Sequence, residues 1–227
     1  MKHFIKRSVK IMGLSFVAGI AFGGLAHLLS VAAKKASYRH PAIIRISDQN
    51  RYSSCSAFVV SDRYAITARH CVYDPEKMSF FTFEAPTLLH KIDVVSGDNK
   101  TIITTDVIPN GTRMDVIAIK GDFSKFHKLK VQNRTLFMLE EDAYKACGYP
   151  LGSAHLVCSN IKIKHNFTER YAGTGYLIFG MSGGPVINTT NDIAIGVASA
   201  ITDGFMVFTP VLVLEKMLGI PDGEFNE

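Results

Sequence analysis

Apolar and polar positions along the chain fall into two regimes. The stretch 11–33 is a run of 23 residues without a formal charge, and His27 is its one strongly polar side chain. As a helix rising 1.5 Å per residue it would reach roughly 35 Å, enough to cross a bilayer. The run exceeds the roughly 7–15 residues of a signal-peptide core, which favours an uncleaved anchor over a cleaved leader, although Val31 and Ala33 also suit a cleavage site before Lys34. From Ser37 onward the pattern changes to short apolar segments separated by turn signals. It predicts strands at 42–46, 54–60, 64–67, 88–95, 101–107 and 115–119, then at 135–139, 144–149, 156–164, 175–179, 185–188, 194–200 and 205–209. One helix is predicted over 211–218, stopped before Gly219 and Pro221. Many short strands without alternating helices indicate an all-β protein, a sandwich or barrels. The polar, lysine-rich stretch 121–133 reads as the connection between two half-domains. The expected organisation is therefore 1–35 as membrane anchor or signal segment, 36–122 as the first β half and 123–227 as the second.

Charge sharpens this division. The chain carries a formal +5 and a pI near 9.0, which raises a polyanion as partner. Lys2, Lys6, Arg7, Lys10, Lys34 and Lys35 all lie in the first 35 residues, which hold no acidic side chain. Taking those six from 25 Lys and Arg leaves 19 against 20 Asp and Glu in the remainder, a net of −1. The positive charge is thus a property of the leader, and nucleic acid is not expected as a partner. The membrane is, through the N-terminal segment, with the body exported to the periplasmic or extracellular side, or secreted if the leader is cleaved. Ser15, Gly19 and Gly23 recur every four residues, a small-residue spacing that admits a weak dimer of anchor helices.

The four cysteines, Cys55, Cys71, Cys147 and Cys158, are spaced as two local pairs. In an exported chain this suggests two disulfides, each closing a short loop worth about 3 kcal/mol in the chain-entropy model. A zinc site is disfavoured, because there is no Cys-x-x-Cys and no compact Cys/His cluster. No metal and no cofactor is expected.

Three segments carry candidate chemistry in combination: Ala65-Ile-Thr-Ala-Arg-His70-Cys71, Met114-Asp115-Val-Ile-Ala-Ile-Lys120, and Gly180-Met-Ser182-Gly-Gly-Pro185. Serine-based acyl transfer needs a base to take the hydroxyl proton and an acid to hold that base in one tautomer. It also needs backbone N–H groups aimed at the developing oxyanion, which small residues around the serine allow. Gly180-x-Ser182-x-Gly184 also fits the nucleophile elbow of α/β-hydrolases, but there the histidine follows the serine, and the last histidine here is His165. An Asp-His-Ser order would draw on Asp48 or Asp62 in a parallel sheet with crossover helices, for which the region shows no pattern. The order left standing is His70, Asp115, Ser182.

In these motifs the chain resembles the trypsin/chymotrypsin-like serine peptidases, over about residues 37–220. Thr67-Ala68-Arg69-His70-Cys71 is similar to the segment that carries the family's base, Asp115-Val116-Ile117-Ala118-Ile119 to the one with its acid, and Gly180 to Pro185 to the one with its nucleophile. The resemblance implies two antiparallel six-stranded β-barrels, catalytic His70, Asp115 and Ser182, and an oxyanion hole from the amides of Gly180 and Ser182. It implies a disulfide between Cys55 and Cys71, while Cys147 and Cys158 flank Gly148-Tyr-Pro-Leu-Gly152 as a hairpin cross-link without a clear family counterpart. Gly196-Val-Ala-Ser199-Ala200 resembles the strand that pairs with substrate backbone, which makes Ala198, Ser199 and Ala200 substrate-binding candidates. Tyr176, six before the nucleophile, stands where trypsin has an acidic specificity residue, so an apolar or small P1 side chain is expected. Met181 stands where the animal enzymes have the Asp that pairs with a new N-terminus, so activation by N-terminal insertion is not expected. The expected function is a serine endopeptidase acting on a protein or peptide; the alternative is a catalytically silent module that holds a peptide in the same cleft.

Overall fold

Twelve strands build the described part of the chain. The computed structural model describes residues 40–47, 54–72, 91–95, 102–108, 114–132, 143–167, 170–202 and 205–211. In chain order the strands are β1 (Ile43–Ser47), β2 (Ser54–Val59), β3 (Tyr64–Thr67), β4 (Lys91–Val95), β5 (Ile102–Ile108), β6 (Ile117–Lys120), β7 (Tyr144–Gly148), β8 (Val157–Phe167), β9 (Arg170–Thr174), β10 (Pro185–Asn188), β11 (Ile193–Thr202) and β12 (Phe205–Pro210). The first six pair antiparallel in the order β1-β2-β3-β6-β5-β4, and β4 returns to β1 to close a barrel. The others pair as β10-β11-β12-β9-β8-β7, with β7 returning to β10. Closure removes the unpaired edges that an open sheet would expose.

The pairing of β3 with β6 decides where the chemistry sits. Its register sets Thr67 opposite Ile117. Antiparallel strands bring the end of one beside the start of the other, so the residues after Thr67 and those before Ile117 share one end of the barrel. Branched and aromatic side chains pack on both faces of these strands, with Phe58, Ile43, Ile44, Ile46, Ile66, Ile117 and Ile119 almost fully buried. Burying each such side chain contributes on the order of 1.5–3 kcal/mol, which holds that barrel end rigid. A second cluster joins Tyr144, Ala146, Ile161, Tyr171, Val186, Ile195, Ala198, Met206 and Phe208. Within it the rings of Tyr171 and Phe208 stack with centroids 5.3 Å apart.

The connection expected at 121–133 is more than a polar linker. Phe123, Leu129 and Val131 are buried. Leu129 N donates to Val59 O of β2 at 2.8 Å, and Gln132 N donates to Ala194 O of β11 at 2.9 Å, so the segment is bonded to strands of both sheets.

Some expectations need correction. The segment 175–179 is not a strand: Tyr176 N donates to the Ser159 hydroxyl at 3.0 Å instead of to a ladder carbonyl. The strand that pairs with β8 and β12 is β9, which lies just before it. Asp115 precedes β6 rather than opening it. The anchor at 11–33, its small-residue repeat, the strand at 135–139 and all but Val211 of the helix at 211–218 lie outside the described residues. Among the described residues no helix is long and apolar enough to cross a membrane.

Close backbone approach fixes the turn into β10. A Cβ on Gly184 would run into the Cys147 carbonyl oxygen of β7 and come within 3.0 Å of the Met181 carbonyl oxygen. Neither backbone group can rotate away, so Gly184→Ala is expected to destabilise the fold by about 3 kcal/mol, the upper range for overpacking. A lowered urea midpoint with an unchanged m-value would show it; an unchanged midpoint would mean that β7 and the turn can separate freely.

Candidate active site

His70 lies in a short 3-10 turn, Arg69–Val72, immediately after β3. Asp115 lies two residues before β6, at the same end of the barrel. The carboxylate takes two hydrogen bonds from the one histidine: His70 N donates to Oδ1 at 2.9 Å, and His70 Nδ1 lies 2.8 Å from Oδ2. With its proton on Nδ1 and donated to Asp115 Oδ2, the ring leaves Nε2 free of hydrogen and able to accept one. The turn is tied down by the Cys55–Cys71 disulfide, which joins β2 to the residue after His70 with a Cα–Cα distance of 6.0 Å.

Burial by itself pushes the Asp115 carboxyl upward. The side-chain hydrogen bond and charge of His70, the His70 amide and the Ser199 hydroxyl outweigh it, and the carboxyl is held below its ordinary value of 3.8. A carboxyl depressed in the folded state contributes stability that is present above the unfolded pKa and lost as pH falls through the folded one. The difference in thermal midpoint between the wild-type chain and Asp115→Asn is therefore expected to shrink on acidification below the ordinary carboxylate range. A difference that stays constant between neutral and strongly acid pH would contradict this coupling.

Ser182 precedes β10 in a loop whose backbone is bonded on several sides. Ser56 N donates to Ser182 O at 2.8 Å, Gly183 N to Ala198 O at 2.7 Å, and Gly184 N to Met181 O at 3.1 Å. The Ser182 hydroxyl lies 3.5 Å from Ser199 O, a long contact, and no hydrogen bond joins it to the His70 ring. In substrate-free sites such bonds are often long and tighten when substrate binds. Among the described residues the amides of Gly180 and Ser182 donate to no group. Gly180 has φ +95°, a region that disfavours any side chain. Phe179 O, on the same peptide plane, accepts from Leu151 N at 2.5 Å. Since a trans peptide points its C=O and N–H in opposite directions, the Gly180 N–H faces away from Leu151.

Ser199 occupies a β-bulge in β11, between the paired Ala198 and Ala200. The bulge lets one residue serve both sides of the site. Its carbonyl faces Ser182, while its hydroxyl lies 3.4 Å from Thr209 Oγ1 and is among the groups that lower the Asp115 carboxyl. Ser199, read from sequence as a substrate-strand residue, thus also helps to keep the Asp115 carboxyl charged. Ala198 is buried within the second core cluster, and Ala200 is exposed on the far side of the bulge. Tyr176 is 48% exposed on the segment leading to the serine and does not lie at a buried pocket floor.

Cys147 and Cys158 are joined across the β7–β8 hairpin, with Cα atoms 4.1 Å apart. Cys55, His70 and Cys71 bring their ligand-type atoms within 4.8 Å of one another, but both sulfurs belong to one disulfide, so this cluster offers no thiolate. Sequence reasoning missed Ser56, whose side chain is fully buried between the serine loop and the Cys147–Cys158 loop. The only signal was its place next to Cys55.

Residues 55–197 match a family model described as a trypsin-like peptidase domain. Among solved structures the chain is similar to the serine endoprotease from Yersinia pestis, at 19% identity and a TM-score of 0.64, over 85% of this chain and 66% of that one. It is also similar to the Rv3671c protease in its inactive form, at 16% identity and a TM-score of 0.60, over 79% of this chain and 88% of that one. At such identities the likeness is one of fold. The chain spans 66% of the length of the Yersinia structure, just under two thirds. No curated protein matches the sequence.

Proposed function

The chain belongs to the trypsin-like peptidase family, and from that premise we propose that it is a serine endopeptidase working through His70, Asp115 and Ser182. The observation that carries the reading is the double hydrogen bond from His70 to Asp115, which leaves Nε2 of the ring as the proton acceptor. The Ser182 hydroxyl oxygen attacks the carbonyl carbon of the scissile peptide and its proton passes to His70 Nε2. Asp115 keeps the ring in one tautomer and stabilises its positive charge. The carbonyl oxygen becomes an oxyanion facing the Gly180 and Ser182 N–H groups, which have no other acceptor among the described residues to give up. Collapse returns the proton from Nε2 to the departing amine and leaves an acyl group on Ser182. Water then attacks the acyl carbon as His70 takes its proton, and His70 returns that proton to the Ser182 oxygen as the ester bond breaks, releasing the acid product.

The substrate is a protein or peptide. Ala198, Ser199 and Ala200 supply the strand beside it, and with Tyr176 they offer no charge to its P1 side chain, which favours an apolar or small residue there. Met181 is fully buried and carries no charge, so it cannot form an ion pair with a cleaved N-terminus. Activity without N-terminal processing fits that residue. The apolar segment 11–33 would tether the catalytic part to a membrane, on the exported side, in keeping with the two disulfides. Hydrolysis of a denatured protein such as casein by the full chain, absent in Ser182→Ala, is the expected result; equal hydrolysis by both would sink the proposal.

A further inference from the structure

Met181 cannot supply the ion pair that a terminal amine would make, so something else must hold the oxyanion peptide. The Phe179–Gly180 peptide can in principle take two orientations. In one its N–H faces the substrate; after a half-turn the Phe179 carbonyl would, and that oxygen would repel an oxyanion. Glycine at position 180 tolerates either sign of φ, so the residue itself does not choose.

The neighbourhood does. Phe179 O is engaged by Leu151 N at 2.5 Å, and Gly180 O accepts from the Ser56 hydroxyl at 2.7 Å. The same hydroxyl accepts from Tyr149 N at 2.8 Å, so the hydrogen and a lone pair of Ser56 are both committed. The loop that presents Tyr149 and Leu151 is itself anchored to the first barrel. Tyr149 Oη donates to Ile43 O at 3.0 Å, and the Arg45 guanidinium donates to Gly152 O. The Cys147–Cys158 disulfide closes its base. Contact is backbone against backbone: a Cβ on Gly180 would lie 2.5 Å from Tyr149 O and 2.8 Å from Leu151 N.

We propose that Ser56 is a positioning residue for the oxyanion site, acting with the disulfide-closed loop 149–152 to keep the Gly180 N–H turned toward the substrate. This rests on the peptidase reading above. A hydroxyl on β2 and a hairpin of the second sheet thereby do together the task that an inserted N-terminus does in the animal enzymes. Their effect falls on the transition state, because the oxyanion exists only there.

The test compares wild type, Ser56→Ala, and the paired Cys147→Ser/Cys158→Ser variant, which keeps the Cys55–Cys71 bridge. Three quantities are measured: kcat and KM on one chromogenic peptide, the affinity of an acetylated tripeptide boronate with leucine at the boron-bearing position, and that of the same tripeptide as its amide. The boronate forms a bond to the serine oxygen and places an oxygen in the oxyanion site, whereas the amide does not. Removing one oxyanion donor elsewhere costs about 10²–10³ in kcat, so a donor that is misoriented part of the time should cost about 10–100-fold. Both variants are expected to lose kcat and boronate affinity by the same factor, with KM and amide affinity within about twofold of wild type. The paired variant keeps the proposal testable if Ser56→Ala does not fold. Unchanged kcat and boronate affinity in a folded variant would overturn the positioning role, as would an equal loss for the amide. A wild-type chain that neither hydrolyses the peptide nor binds the boronate would overturn the peptidase reading, and this proposal with it.

Discussion

His70→Ala is expected to lower kcat about 10⁶-fold, the loss found when the base of another Ser-His-Asp unit is removed. The reason lies in what surrounds Ser182 once the imidazole is gone. Its hydroxyl then has the Ser199 carbonyl at 3.5 Å as its acceptor, and a peptide carbonyl cannot take up a proton from an attacking alcohol. The His70 side chain is partly exposed and its backbone N–H to Asp115 survives the substitution, so the fold should be nearly unaffected. KM is expected to stay within a few-fold, because the ring acts on the proton and not on ground-state binding. A loss of less than about a hundredfold would place the base elsewhere. The rival pair is His40, whose Nε2 lies 3.0 Å from Asp192 Oδ2. His40→Ala is therefore the matched control, expected to retain activity.

Asp115→Asn is expected to lower kcat about 10⁴-fold at neutral pH, a size carried over from the best-studied Ser-His-Asp triad. The mechanism follows from the two bonds that His70 makes. An asparagine must turn its oxygen toward one donor and its NH₂ toward the other. The His70 backbone N–H has no tautomer and always donates, so the oxygen goes to the place now held by Oδ1. The NH₂ then faces Nδ1, which can accept only if the ring proton moves to Nε2. That tautomer presents Ser182 with a donor instead of a base. Steady-state kinetics against folded-state stability separates the outcomes: a 10⁴ loss in kcat with an intact fold supports the tautomer argument, and near-normal turnover would remove Asp115 from the mechanism.

What could be read in the sequence and what could not divides along physical lines. The motifs that hold His70, Asp115 and Ser182 stand out because each is short and lies at a strand end, and the β3–β6 register brings His70 and Asp115 together. The two disulfides were legible from local spacing. Residues 175–179 misled because Tyr176, Leu177, Ile178 and Phe179 have the composition of a strand. Their backbone is committed instead to Ser159 Oγ, Met181 N and Leu151 N, partners that no periodicity reveals. β9 was missed because Arg170-Tyr-Ala-Gly-Thr174 alternates only weakly. Ser56, and the effect of Ser199 on Asp115, were beyond reach for another reason. They depend on residues far along the chain: Ser56 donates to Gly180 O and accepts from Tyr149 N, and the Ser199 hydroxyl helps to lower the Asp115 carboxyl.

On this reading Ser182 is a nucleophile activated by the groups around it. The most direct measurement is the mass of the folded chain after exposure to a fluorophosphonate, followed by peptide mapping. A single adduct is expected on Ser182, absent from Ser182→Ala and strongly slowed in His70→Ala. A well-folded chain that takes up no label, or carries it on another residue, would contradict it and leave a trypsin-like fold that binds without cutting.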